Sequence, residues 1–260
     1  MRIRSALTSV VLTATLGLVA APAAHPATGP VGAAATTCDS GGSITMGKYW
    51  LNNNLWGAGT GSGTQCVSDS YQSGTTIGWS TNWNWTGQQN SVKSYVSSVL
   101  GWHWGWKTSG TGLPVQLSAN RNVNTGWTFQ PNASGTYNVA YDLWLHTIPN
   151  PDWSNNPTDE VMIWLYRAGG AGPLGNKVAT VSLAGATWDL YQGNIGWEVY
   201  SFVRTSNTTS ANFNIRDFLN HLRSSRGLSS SKYLTSVQAG TEVFTGGGRL
   251  DTASYYTNVG

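Results

Sequence analysis

Charge is scarce in this sequence. Of 260 residues, 14 are Lys or Arg and 11 are Asp or Glu, only 10% in all. The net charge of +3 is small and the basic residues form no run, so the electrostatic footprint that nucleic acid requires is missing. Cysteine is nearly absent: Cys38 and Cys66 are the only two, too few for the ligand set of a structural zinc. The histidines (His25, His103, His146 and His221) are scattered, and no Gly-x-Ser-x-Gly elbow occurs. Neither a metal centre nor a serine-hydrolase triad is expected, and no cofactor. Beyond Ala21 no apolar run is long enough to span a bilayer.

The one long apolar run is at the N-terminus. Arg2 and Arg4 precede an apolar stretch from Ala6 to Ala21, and small-residue sites follow at Ala21-Pro22-Ala23 and Ala33-Ala34-Ala35. That order is that of an export signal rather than a membrane anchor. It divides the chain into a leader with a flexible segment over residues 1–35 and a single domain over 36–260. The mature protein is expected to be secreted, monomeric and free of the membrane. Both cysteines follow the leader and reach an oxidising compartment, where one Cys38–Cys66 disulfide is expected.

What the chain has instead of charge is glycine, 32 residues of it, with many Ser, Thr and Asn. Short alternating segments separated by turn residues run from Cys38 to the end. In "YNVAYDLWL" Tyr137, Val139, Tyr141, Leu143 and Leu145 share one face, with Asn138, Ala140, Asp142 and Trp144 on the other. In "EVMIWLYR" Val161, Ile163 and Leu165 oppose Glu160, Met162 and Trp164. In "TSVQAGTEVF" Val237, Ala239, Thr241 and Val243 oppose Gln238, Gly240, Glu242 and Phe244. "NKVATVSL", "TWDLYQG" and "GWEVYSFV" read as further strands. Only Asn214–Leu228 has a helical period, with Ile215, Phe218, Leu219 and Leu222 on one stripe, Asn214 as cap and Gly227 as terminator. Many strands with one helix give an all-β sandwich of two sheets. The faces that should meet water carry Trp144 and Trp164 beside carboxylates, which describes the floor of a groove.

Glutamate is the rarest charged residue. Glu160, Glu198 and Glu242 are the only three, and each lies in a strand-like segment, where a rigid sheet fixes a carboxylate well. Tryptophan, by contrast, occurs 14 times. Indole faces stack on the apolar faces of sugar rings, and Asn, Gln and Ser hydrogen-bond sugar hydroxyls. Two carboxyl groups flanking a bond are what glycoside hydrolysis needs.

Four stretches carry a resemblance: "NNLWGAGTGSGTQCV", "NVAYDLWL", "DEVMIWL" and "GTEVFTGGG", in order over Cys38–Gly260. Together they resemble glycoside hydrolase family 12, the β-jelly-roll endo-β-1,4-glucanases. The resemblance implies a jelly roll of two antiparallel sheets with a concave substrate groove and retention of anomeric configuration. It implies Glu160 as nucleophile, Glu242 as general acid/base and Asp142 as the aspartate that tunes the pair by hydrogen bonding. Asn54 and Trp56 match groove residues, and Met162 matches a methionine near the nucleophile. Trp144 and Trp164 are taken as further substrate contacts. Cys38 and Cys66 match the family's disulfide. Val243 departs from the proline that many members have there, and Glu198 has no matching role. The implied substrate is cellulose or a related β-glucan. Xyloglucan is the alternative for the same machinery, and a carbohydrate-binding jelly roll without catalysis is the alternative of another class.

Overall fold

The computed structural model describes residues 34–260; apart from residues 34 and 35, the expected leader lies outside the described residues. Two long strands, Val123–His146 and Tyr233–Val259, form the spine. They pair antiparallel from Tyr233 against His146 to Val259 against Val123. Each is far longer than the segments legible in the sequence, because glycine lets them bend rather than end. Gly135 faces Gly246, with φ of 101° and 104°. A Cβ on Gly246 would stand 2.1 Å from the Ser134 carbonyl oxygen, and one on Gly135 would stand 2.3 Å from that of Thr245. Only glycine fits where the strands bend and approach this closely.

On one side of the bend, Tyr233–Val259 pairs with Ser94–His103, and Val123–His146 pairs with Asp159–Ala168. On the other side, Tyr233–Val259 pairs with Thr76–Gly87, which in turn pairs with Gly61–Ser73. Next to Asp159–Ala168 lies Glu198–Arg204, followed by Ala186–Asn194 and Asn176–Leu183. This is the expected strand-dominated jelly roll. One pairing is parallel, Asp159–Ala168 with Glu198–Arg204, which alternation within a strand does not reveal.

The predicted faces hold. Val139, Tyr141, Leu143, Leu145, Val161, Ile163, Leu165, Val237, Ala239 and Val243 enter one large buried cluster. Ala140, Met162, Trp164 and Phe244 form a smaller cluster on the opposite face. The helix spans Ile215–Ser225, the single α-helix among the described residues, and buries Ile215, Phe218, Leu219 and Leu222. The Asn214 side chain caps it by accepting from the Arg216 amide at 3.1 Å. Gly227, with φ 73°, ends it, and the Leu228 amide returns to the Leu222 carbonyl at 3.3 Å.

Cys38 and Cys66 are bridged across 28 positions. The bridge fastens the first segment of the domain to the strand Gly61–Ser73. Opening it frees the unfolded chain. Reduction is therefore expected to cost roughly 3–4 kcal/mol, seen as a lower Tm with dithiothreitol. An unchanged Tm, or two titratable thiols in the unreduced denatured protein, would contradict the bridge.

Candidate active site

The smaller cluster floors a cleft of about 660 Å³. Every residue expected in the groove lines it: Glu160, Glu242, Asp142, Asn54, Trp56, Met162, Trp144 and Trp164. Sheet order explains the convergence. Glu160 and Glu242 stand on the two strands that flank Val123–His146, and Asp142 stands on that central strand. Glu160 is level with Trp144, Met162 with Asp142, and Asp142 with Gln238. Period-two alternation then turns all three carboxyls to one face.

Each glutamate has one side-chain donor. The Trp197 indole Nε1 donates to Glu160 Oε2 at 2.9 Å. The Asn138 amide nitrogen donates to Glu242 Oε2, while its Oδ1 accepts from the Glu242 backbone N–H at 3.0 Å. Asn138 therefore grips both ends of the residue. Lys93, fully buried, donates from Nζ to the Phe244 carbonyl at 2.8 Å and to that of Ser91 at 2.6 Å. It pins the strand just beyond Glu242 to the loop that precedes Ser94–His103. Val243, in place of the proline, is fully buried in the large cluster and leaves the Glu242 side chain on the cleft face.

Burial dominates the electrostatics. It pushes Glu160 up to about 7 against the opposing Trp197 hydrogen bond. Glu242 also rises to about 7, first through burial and then through the negative charge of Glu160, with Asn138 opposing. Desolvation acts on both because both stand half-buried in the lining of one cleft. The charge of Glu160 thus enters the titration of Glu242.

Asp142 departs from the hydrogen-bonding role that the resemblance implies. It makes no hydrogen bond to either glutamate, and its Oδ1 has no partner. The Trp144 indole approaches it short of hydrogen-bond geometry. Burial raises the Asp142 carboxyl well above its usual range, followed by the charges of Glu160 and Glu242. The pair therefore acts on Asp142 through charge, and no direct bond joins them.

Two further polar groups of the lining, His103 and Tyr95, are neutral. Gln238 Nε2 meets His103 Nδ1 at 3.0 Å, and burial lowers His103 to about 4. The Tyr95 hydroxyl donates to the Ala140 carbonyl at 3.1 Å. Trp164 Nε1 donates to Met162 Sδ at 3.4 Å, locking two groove side chains together.

Glu198 stays out of the cleft lining. Gln192 and Asn194 donate to its two oxygens at 3.0 and 2.7 Å, and these bonds hold it below the usual carboxylate range. The segment lines the cleft with Ile195, Trp197 and Val199 instead, and of these Trp197 reaches Glu160. Neither Trp197 nor Asn138 stood out as a site residue in the sequence. The signal for Asn138 was there, since alternation placed it on the face of Asp142 and Trp144. Trp197 depends on the parallel pairing, which no local pattern announces.

A carboxyl with a raised folded-state pKa stabilises the fold below its unfolded value, and that stability is lost as pH rises through the folded value. Glu242, at about 7 against an ordinary 4.5, is such a group. Glu242→Gln is therefore expected to gain on the parent, by on the order of 1–3 kcal/mol, between about pH 4 and pH 8. Thermal melts across that range test it, and a difference that does not change with pH would contradict the buried carboxyl.

Comparison with known proteins agrees with this geometry. The family model described as Glycosyl hydrolase family 12 matches residues 47–260. The chain is 43% identical over 220 residues to Endoglucanase S of Pectobacterium parmentieri, covering 82% of each. It is 39% identical over 226 residues to the xyloglucan-specific endo-beta-1,4-glucanase A of Emericella nidulans, covering 85% of this chain and 89% of that one. A family 12 xyloglucanase from Bacillus licheniformis, solved with a ligand, superposes with a TM-score of 0.80 at 41% identity, over 87% of this chain and all of that one. With the family model spanning most of the chain and relatives of 39–43% identity covered over most of their length, the chain belongs to glycosyl hydrolase family 12.

Proposed function

We propose that the protein is a secreted, monomeric endo-β-1,4-glucanase that cleaves internal bonds of a β-glucan by double displacement with retention. The observation that carries this reading is the placement of Glu160 and Glu242 on strands flanking a common neighbour in one indole-walled cleft. Glu160, ionised and oriented by Trp197, attacks the anomeric carbon. Glu242, protonated, gives its proton to the departing oxygen. The glycosyl-enzyme ester removes the Glu160 charge, one of the causes that hold the Glu242 proton, so Glu242 can then take a proton from water. Trp56, exposed at the cleft wall, offers a ring face to glucosyl units, and Asn54 a polar contact, whereas Trp144 and Trp164, expected as substrate contacts, are buried and back the floor. No helix among the described residues is long and apolar enough to cross a membrane.

Xyloglucan is the second reading of the substrate. What favours it is that two of the three relatives compared above are xyloglucan-specific or xyloglucanases, at 39% and 41% identity. Reducing-sugar release from carboxymethyl cellulose, mixed-linkage β-glucan and tamarind xyloglucan ranks the substrates.

Three substitutions separate the roles. Glu160→Gln is expected to lose more than about 10³-fold in kcat on every substrate, since no glycosyl-enzyme can form. Glu242→Gln is expected to lose about 10²–10⁴-fold on polysaccharide. It should lose less in glycosylation by an activated aryl glycoside, and azide should restore turnover as the β-glycosyl azide. Glu198→Gln keeps substantial activity, because Glu198 does not line the cleft. Near-normal activity in Glu160→Gln, or loss in Glu198→Gln with retention in Glu242→Gln, would overturn these roles.

The raised carboxyls also shape the pH profile. The parent kcat/KM should be bell-shaped, falling on the acid side as Glu160 is protonated and on the alkaline side as Glu242 loses its proton. With an activated aryl glycoside, Glu242→Gln should lose the alkaline limb, and an intact alkaline limb would assign it to another group.

A further inference from the structure

Three of the 14 tryptophans stand more than half exposed: Trp56 at 66%, Trp106 at 75% and Trp153 at 77%. Trp56 lines the cleft. The other two lie outside its lining, yet both are joined to its rim. Trp106 pairs with His103 across a hairpin. Directly opposed residues of an antiparallel pair project from one face, and His103 lines the cleft. Trp106 therefore continues the cleft-side face of the ribbon outward.

The two-residue turn of that hairpin is Trp104-Gly105, with φ of 44° and 90°. Positive φ at both positions is the type I′ pattern, which Asn, Asp and Gly normally occupy. A tryptophan there is strained, and strain of this kind persists where surrounding contacts fix it. The Trp104 ring lies 6.3 Å from the rings of Trp144 and Trp197, on the side of the cleft where Trp197 holds Glu160. The turn thus aims one indole into the cleft while its strand carries another beyond it. The tip of the turn also rests on Trp153. A Cβ on Gly105 would stand 3.1 Å from the Trp153 backbone nitrogen and 3.2 Å from its Cβ.

Trp104, Trp106 and Trp153 therefore follow one another along a single rim, from lining to open surface. We propose that Trp106 and Trp153 form an outer carbohydrate platform, on which the β-1,4-glucan chain rests where it leaves the cleft past Trp104. The proposal rests on the reading of the cleft as glucan-cleaving. Continuity with that cleft selects the occupant: a polymer cut internally must continue out of the site, and flat indole faces suit pyranose rings. A short glycoside that fits within the cleft never reaches the platform.

The test is the double variant Trp106→Ala/Trp153→Ala, at two positions so exposed that the core is untouched. Its kcat/KM is measured on the polymer that the parent cleaves fastest and on an aryl β-cellobioside. The expected result is a loss of roughly tenfold on the polymer, carried by KM, with the cellobioside value unchanged. Trp106→Phe/Trp153→Phe, which keeps flat rings, should recover most of the loss. Equal losses on both substrates, or none on the polymer, would overturn the platform. So would a parent dimer, found by sedimentation, that the double variant dissolves, because the patch would then serve self-association. A parent that cleaves no glucan removes the reading of the cleft and the platform together. A parent that cleaves glucan no faster than the double variant removes the platform alone.

Discussion

Burying Glu160 and Glu242 in one indole-walled cleft limits how much charge the pair can carry. Each carboxylate is desolvated, and Glu242 also feels the charge of Glu160. With both raised to about 7, protonated forms persist toward neutrality, and the charge of Glu160 favours the proton on Glu242. One ionised and one protonated carboxyl is the state that a double displacement starts from. The rest of the site can be read as support for that unequal pair. Trp197 donates to Glu160, Asn138 clamps Glu242, and Asp142 adds a buried acid whose own proton follows theirs.

Keeping desolvated carboxyls in place takes a stiff frame, and the two long strands supply it. They run side by side along almost their whole paired length. Their bend at Gly135 and Gly246 lets the same strands serve both sides of the fold. Lys93 ties the backbone just past Glu242 to the neighbouring loop. On the far side, the parallel partner Glu198–Arg204 follows directly on Trp197 and places it over Glu160. Glu198 itself is spent on Gln192 and Asn194, which fix the start of that strand.

Much of this is visible in the sequence, and the reason is local. Side-chain alternation is a property of a single strand, so the faces holding Glu160, Asp142 and Glu242 could be assigned without knowing which strands pair. The helix was equally legible, since its stripe and both caps are contiguous. What escaped detection depends on pairing. The length of the two spine strands was hidden because Gly135 and Gly246 read as turns when seen alone. The role of Trp197 needed a parallel neighbour, and Glu198 drew attention because it is a rare residue in the same strand. The protonation of Glu160 could not be read either, because burial depends on walls contributed from distant parts of the chain.

The central claim is that Glu160 forms a covalent bond to the sugar while Glu242 handles the proton. Its most direct measurement is mass spectrometry of the protein after reaction with a 2-deoxy-2-fluoro cellobiosyl donor bearing an activated leaving group. The account predicts a mass gain of one fluoro-cellobiosyl unit, mapped by peptide digestion to Glu160. A label on Glu242 or Glu198, or turnover that releases inverted product with no adduct, would contradict it.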